Sequence, residues 1–308
     1  SVAVLETLRL NNILGIVTTA IEVPKHQLES DTRTANRVIT IPNPGFGSDE
    51  LLPVPAVKEG AKNGGHILYT SGTTGKYKKL LWAGGLQQRR DVERIASDGY
   101  NTDTVYHCAN LGLWTAAGYK IPRTLWLARG CLILDQRPQW CEYFLQSGMT
   151  KAFLVPDLAN QLINTLDEQG STSSPLDFSL TVAGGFISRK LAEQIIKRVT
   201  TNLRILYGST EINILVLEAK VTNLDDLHWL GCRESRTVEI IDEAGSICPI
   251  DVEGQLRVRL TELDCSSYLE DVEASEKVFK SGYFYPGDMA VRRADGRASG
   301  QARAEYGA

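Results

Sequence analysis

Residues Thr70 to Lys79, TSGTTGKYKK, gather four serine or threonine hydroxyls, two glycines and three lysines between the apolar runs His66–Tyr69 and Leu80–Trp82. The runs have the short apolar character of strands, and the stretch between them has the makings of an anion-binding loop. Gly72 and Gly75 allow backbone N–H groups to turn inward at dihedrals that other residues resist. Thr70, Ser71, Thr73 and Thr74 add hydroxyl donors, and Lys76 and Lys78 add positive charge. A polyphosphate suits such a loop. A Walker-type loop is excluded, because it requires G-x-x-x-x-G-K-[ST] opening a helix. Here the glycines are three apart, Tyr77 follows Lys76, and the chain enters an apolar run. The plainer alternative is a lysine-rich hairpin tip on the surface.

YTSGTTGKYKK resembles the phosphate-binding signature of the adenylate-forming superfamily: acyl-CoA synthetases, luciferases and the adenylation domains of peptide synthetases. It departs from that pattern at Tyr77, where proline is usual, and at Lys79, where glycine is usual. Neither change removes a phosphate donor. The resemblance implies that Thr70 to Lys76 and Lys78 hold the phosphates of ATP, with Lys76 among the catalytic groups.

Three further segments follow in the family's order. Val182–Gly185 resembles its Gly-Gly turn, where Gly184 and Gly185 let a flat adenine approach the backbone. LRILYGSTE, residues 203–211, resembles its Tyr-Gly-x-Thr-Glu element. Tyr207 would offer a ring face to adenine, Gly208 would permit the turn, and Thr210 would donate to a phosphate. Glu211 would present a hard oxygen to Mg²⁺, and it and Thr210 count as catalytic. GYFYPGDMA, residues 282–290, resembles the Gly-Asp element, in which Asp288 accepts from the ribose hydroxyls. His107, in YHCANLGLWTAAGY, stands in a place comparable to a family histidine beside the acyl pocket. A lone histidine also serves as an ordinary core or surface residue.

The elements that must position these residues alternate. Strand CLILD at 131–135 precedes a helix around Trp140–Gln146, and strand KAFLV at 151–155 precedes a helix beginning at Asp157. Asp157 reads as its N-cap, Leu158, Leu162 and Leu166 as its apolar stripe, and Gly170 as its stop. LDFSLTVAGG forms a strand and turn. Ser188 then caps LAEQIIKRV, with Leu191, Ile195 and Val199 on one face. Leu86–Ile95 has helical character with charge on one face. The pattern predicts an α/β fold, a mainly parallel helix-covered sheet with its ligand beyond the strands' carboxyl ends. From Arg236 the period changes to two, which predicts a small β-rich subdomain.

The expected organisation is an incomplete leading α/β segment and connector at 1–63, with a plausible buried strand at Asn12–Thr18. An ATP-binding α/β region follows at 64–211, a β-rich subdomain at 212–297 and a degenerate hinge at 298–308. At the hinge, Gln301 stands where the family has arginine and Arg303 where it has an acidic residue. On the resemblance, the family's C-terminal lid domain with its catalytic lysine is expected to be absent from this chain.

The chain has 308 residues, 43% hydrophobic and 23% charged, with net charge −4. That composition suits a globular protein with ample core and argues against a nucleic-acid surface. The basic cluster Lys76–Lys79 with Arg89 and Arg90 reads as solvated face. Six cysteines lack any C-x-x-C pairing, and no apolar run is long enough to span a bilayer, which together suggest a cytoplasmic protein. The implied activity is ATP-dependent activation of a carboxylic acid as an acyl-adenylate. CoA, or the phosphopantetheine of an acyl-carrier protein, would then accept the acyl group. An adenylation domain for an amino acid is the alternative within enzymes, and a nucleotide-binding pseudoenzyme is the alternative outside them.

Overall fold

The computed structural model describes residues 16–18, 38–40, 65–70, 78–109, 115–135, 139–170 and 174–301. Residues 1–61 and 62–308 form two separate units. In the first, β1 (Ile16–Thr18) pairs in parallel with β2 (Val38–Thr40). The proposed strand at Asn12–Thr18 is thus strand at its carboxyl end, and its first four residues lie outside the described set.

The second unit opens with an antiparallel hairpin of β3 (Gly65–Thr70) and β4 (Lys78–Ala83), in which Thr70 stands opposite Lys78. The loop they enclose, 71–77, lies outside the described residues. Helix α1 (Gln87–Asp98) stops at Gly99, whose φ of 63° provides a left-handed cap that glycine adopts without strain. Then come β5 (Val105–Ala109), α2 (Ala116–Leu127), β6 (Cys131–Asp135), α3 (Trp140–Phe144), β7 (Lys151–Leu154), α4 (Pro156–Glu168), β8 (Ser179–Val182), α5 (Arg189–Arg198) and β9 (Asn202–Tyr207).

These strands form a seven-stranded sheet in the order β11-β10-β9-β8-β7-β5-β6. The five from β6 to β9 are parallel, as the alternation predicts. β10 (Leu217–Lys220) and β11 (Gly231–Cys232) add an antiparallel edge. The order reverses between β5 and β7, the kind of switch point where open α/β sheets leave a crevice. After the sheet, β12 (Val238–Ile241), β13 (Gly254–Arg259), α6 (Val272–Val278), β14 (Phe279–Lys280), β15 (Tyr283–Phe284), β16 (Met289–Arg292) and β17 (Ala298–Gln301) complete the described residues. Apart from α6 they form a six-stranded antiparallel sheet, so the change to β-rich structure follows Arg236.

Because strand side chains alternate, the larger sheet has two unlike faces. On one, Ala152, Leu154, Leu180, Val182, Leu203 and Ile205 pack with Phe144 of α3, Leu162 of α4 and Ile195 of α5 into the main core. On the other, Tyr106, Cys108 and Phe153 meet Leu125, Ala117 and Ile121 of α2.

Local details refine the sequence expectations. Ser188 caps α5, its Oγ accepting from Leu191 N–H at 3.2 Å, and Lys197 and Arg198 sit in the last turn where cations oppose the helix dipole. Asp157 is not the cap of α4. That helix starts on Pro156, whose missing N–H costs nothing in the first turn, and Asp157 is an acidic first-turn residue. Helix α2 is absent from the sequence expectations because Gly118 and Pro122 fall inside it. Thr115 starts it by accepting from Gly118 N–H at 3.0 Å.

Candidate active site

A cavity of about 220 Å³ lies between the second face of the sheet and helices α1 and α2. Its floor is Tyr106, Phe153, Thr181 and Leu206. Ala117 and Ile121 form part of its roof, and Gly184 and Gly208–Thr210 border it beyond the carboxyl ends of the strands. The glycines there have steric reasons. Gly184 has φ 87°, and a Cβ on Gly208 would stand 2.7 Å from Leu215 Cδ2 and 2.9 Å from its Cα. Gly185 lies against Pro156, 3.3 Å from an added Cβ to its Cγ.

The loop after β9 gathers the groups singled out from the sequence. At its start, the Tyr207 hydroxyl donates to Asp288 Oδ2 at 2.5 Å. Burial, and next the Asp288 carboxylate, push the Tyr207 pKa well up, so the phenol keeps the proton it donates. Asp288 follows Gly287, whose φ is 90°, so the carboxylate is fixed directly after a tight turn. Each carboxylate oxygen can accept more than one hydrogen bond, so Asp288 retains acceptor capacity. At the loop's other end, buried Glu211 accepts from the Tyr268 hydroxyl at 2.8 Å, and its backbone carbonyl accepts from Cys265 N–H at 2.9 Å. Lys78 Nζ lies 4.7 Å from the centre of the Tyr268 ring. Tyr268 therefore links the end of the β3–β4 hairpin to Glu211.

Lys120 of α2 secures this loop from beneath. Its Nζ donates to the carbonyls of Thr210 (3.2 Å) and Ile212 (2.9 Å), on either side of Glu211, and sits 3.9 Å from the Trp82 ring centre. Burial lowers its pKa to about 7, nearby Arg94 adding to the shift. Even a neutral amine has two N–H donors for the two carbonyls. Asn213 continues the support, taking a hydrogen bond from Arg94 at 2.9 Å and donating its backbone N–H to Asp264 at 2.8 Å. Arg94 in turn pairs with buried Asp91, which also binds Arg123 at 2.8 Å. The charged face of α1 is thus largely interior. Arg89 is exposed and paired with Glu262, as a solvated face predicts, but Arg90 is buried, stacked over Trp82 and donating to the carbonyls of Leu263 and Ala83.

Thr70 and Lys78 face each other across the hairpin, while Ser71, Gly72, Thr73, Thr74, Gly75 and Lys76 lie outside the described residues. Arg303 lies outside them too, and Gln301 ends β17. His107 is placed apart from the others. It is buried on the opposite face of the sheet, 4.8 Å from the Phe144 ring, and does not line the cavity. Its neighbours Tyr106 and Cys108 point the other way, so strand alternation separates it from the cavity. Lys120, Tyr268 and Asn213 carry no motif.

Mg²⁺ binds through one or two carboxylates, with phosphate and water oxygens completing the octahedron. Among the described residues no group of three or more His, Cys, Asp or Glu could hold a metal on its own. Glu211, one pinned carboxylate, fits a metal that arrives with phosphates. Ser209 Oγ, a buried atom without a hydrogen-bond partner among the described residues, lies in the same loop and is a further oxygen suited to a polar ligand.

The α/β sheet, with a cavity on one face bordered by Gly184 and the YGSTE loop beyond the carboxyl ends of β8 and β9, is the fold in which these residues stand. The chain belongs to the AMP-binding enzyme family, whose family model matches residues 14–263. It is 24% identical over 266 residues to the human mitochondrial acyl-coenzyme A synthetase ACSM4, covering 82% of this chain and 44% of that protein. It is 25% identical over 237 residues to indoleacetate–CoA ligase of Aromatoleum aromaticum, covering 75% of this chain and 46% of the ligase. The chain thus spans less than half the length of either relative. The fold is shared with o-succinylbenzoate CoA synthetase of Bacillus subtilis. A double mutant of that enzyme bound to a product analogue superposes with TM-score 0.72 at 18% identity, over 97% of this chain and 60% of the other. The same enzyme in complex with ATP and magnesium gives 0.65 at 19% identity, over 76% and 49%. Among the described residues no helix is long and apolar enough to cross a membrane.

Proposed function

We propose that this chain carries the ATP site and the acid site of an enzyme that joins a carboxylic acid to AMP and then passes the acyl group to CoA. The observation that carries this reading is the 207–211 loop. It sets Tyr207 and Asp288 at one end, Glu211 with Tyr268 and Lys78 at the other, and Thr210 between them at the border of an aromatic-walled cavity. Adenine would lie over Gly184 and Gly185, where absent side chains admit a flat ring. The ribose hydroxyls would donate to Asp288, and the triphosphate would run along Thr70 to Lys76, Lys78 and Thr210 toward Glu211.

The acid would occupy the cavity with its carboxylate toward Thr210. From there it can attack the α-phosphate, its C–O–P bond forming as pyrophosphate leaves. Negative charge accumulates on the phosphates in that step, and fixed cations and donors stabilise it most where water is excluded. Mg²⁺, held by Glu211 and the phosphates, would supply further charge neutralisation. The chain's own part is to hold Glu211 in place, through Tyr268 on its carboxylate and Lys120 on the flanking carbonyls. The relatives named as acyl-CoA synthetase and indoleacetate–CoA ligase support CoA as the acceptor.

Titration with nucleotides tests the reading. Asp288→Ala should weaken ATP about tenfold while leaving inorganic triphosphate nearly unchanged, since only ATP carries a ribose. Glu211→Gln should remove the Mg²⁺ dependence of ATP binding with little loss of thermal stability. Equal losses for ATP and triphosphate, or normal metal dependence in Glu211→Gln, would refute the assignment.

A further inference from the structure

The cavity has a second end. It runs beneath α1 and α2 along the floor of the sheet to the amino-terminal edge of the strands, where Lys151, Ser179 and Arg204 line it. At ~3.3 Å per strand residue, β8 alone, Ser179 to Val182, carries this floor over about 10 Å, so the space suits an elongated guest. Between the ends its surface is Tyr106, Phe153, Leu206 and Ile121, which is apolar. Lys151, Ser179 and Arg204 also border an open depression of about 520 Å³ on the outer side, whose other walls include Thr150, Asn202 and Lys220.

The charges at this far end do not balance. Arg204 is matched by Glu218 at 2.6 Å and Arg233 by Asp98 at 2.8 Å. Lys151 makes one hydrogen bond among the described residues, to the backbone carbonyl of Asp98 at 2.6 Å, with its Nζ 5.6 Å from the Tyr100 ring. Counting Asp177 and Lys220 of the outer depression, four cations therefore face three carboxylates around this pocket end, and two of the lysine's three N–H donors are uncommitted among the described residues. Burial lowers the Lys151 pKa, Arg204 adds to the shift and the Asp98 carboxylate opposes it.

We infer, on the adenylation reading above, that the acid taken by this cavity is a dicarboxylic acid with an apolar middle, its remote carboxylate pairing with Lys151. The reacting carboxylate then lies at the Thr210 end. A simple fatty acid of equal length would leave the ammonium facing a methyl group.

Calorimetric titration of the chain with octanoate and with octanedioate at pH 8, and separately with ATP and Mg²⁺, decides the matter. Pairs of six and ten carbons would extend the comparison. Octanedioate should bind at least tenfold tighter than octanoate. Lys151→Met should erase that preference and Lys151→Arg should retain it. Circular dichroism would establish that each variant folds, and Lys151→Gln replaces the methionine variant if it does not. Equal or tighter binding of octanoate would overturn the inference, as would a preference that survives in Lys151→Met or Lys151→Gln. If ATP binds and neither acid does, the dicarboxylate assignment fails and the nucleotide site stands. If ATP does not bind either, the adenylation reading falls and takes this inference with it.

Discussion

The two faces of the seven-stranded sheet are built from the same strands and held by different physics. On the face covered by α3, α4 and α5, Leu154, Leu162, Leu180 and Leu203 are fully buried among other hydrocarbon groups. On the face covered by α1 and α2, the interior holds Asp91, Arg94, Lys120 and Thr124, and the strands border a cavity instead of a filled core. Dense apolar packing can be satisfied without a ligand. Buried charge and empty volume do not serve stability alone, and this is the face on which we propose that the ligand binds. The glycines at the cavity border and the YGSTE loop stand at that face's carboxyl edge, consistent with a scaffold on one side supporting a site on the other.

The largest test of this contrast is Asp91→Ala. Asp91 is wholly buried, takes a hydrogen bond from Gln87 at 3.1 Å and pairs with both Arg94 and Arg123. Removing it leaves the Arg94 guanidinium buried without its counter-charge, a change that costs about 3–5 kcal/mol. Urea unfolding should show a loss of that order. A loss below about 1 kcal/mol would mean that the charges on this face are loosely held, and the contrast would fail.

Adjacent residues on β8 give a finer comparison, because they point to opposite faces. Leu180→Ala, in the apolar core, should cost about 3 kcal/mol through lost transfer energy and the cavity left behind. Thr181→Ala, bordering a space that already exists, should cost about 1 kcal/mol or less. Similar midpoint shifts for the two variants would contradict the division into scaffold face and site face.

The scaffold face was the more legible in sequence, for the same reason that it is stable. Its apolar residues recur at strand and helix periods, so Leu162 and Leu166, or Leu191, Ile195 and Val199, announce their elements and their burial together. The site face announces itself through glycines and hydroxyls at Gly184, Gly208 and Thr210, but not through what supports them. Pro122 and Gly118 disguise α2, although the helix forms because its neighbours hold it. Arg90 and Arg94 have the composition of a solvent face, and their burial depends on partners far away in sequence, Asp264 and Asn213 among the residues of that network. Tyr268 reaches Glu211 from 57 residues away, a pairing that no local pattern encodes. His107 shows the converse case, since its position near the motifs suggested the acyl pocket while strand alternation turns it into the opposite core.

Lys120 allows the smallest effect to be read, as a slope. Its ordinary pKa is 10.5, and burial lowers it to about 7 in the folded chain, with Arg94, Cys265, Glu211 and Asp264 as the other ionisable groups acting on it. Below about pH 7 both folded and unfolded chains hold the proton, and the cost of burying the ammonium is full and constant. Between about pH 7 and 10.5 the folded chain has released the proton that the unfolded chain still binds, so this residue's contribution makes stability rise with pH. The slope cannot exceed about 1.4 kcal/mol per pH unit. Lys120→Met removes that titration together with the hydrogen bonds to Thr210 and Ile212, whose loss is independent of pH to a first approximation. The difference in unfolding free energy, variant minus native, should therefore be most favourable to the variant near neutral pH and fall steadily toward pH 10. Parallel pH profiles for the two proteins would mean that Lys120 keeps an ordinary pKa. The ammonium would then stay fully charged between the two carbonyls, and the site face would be electrostatically better compensated than its burial implies.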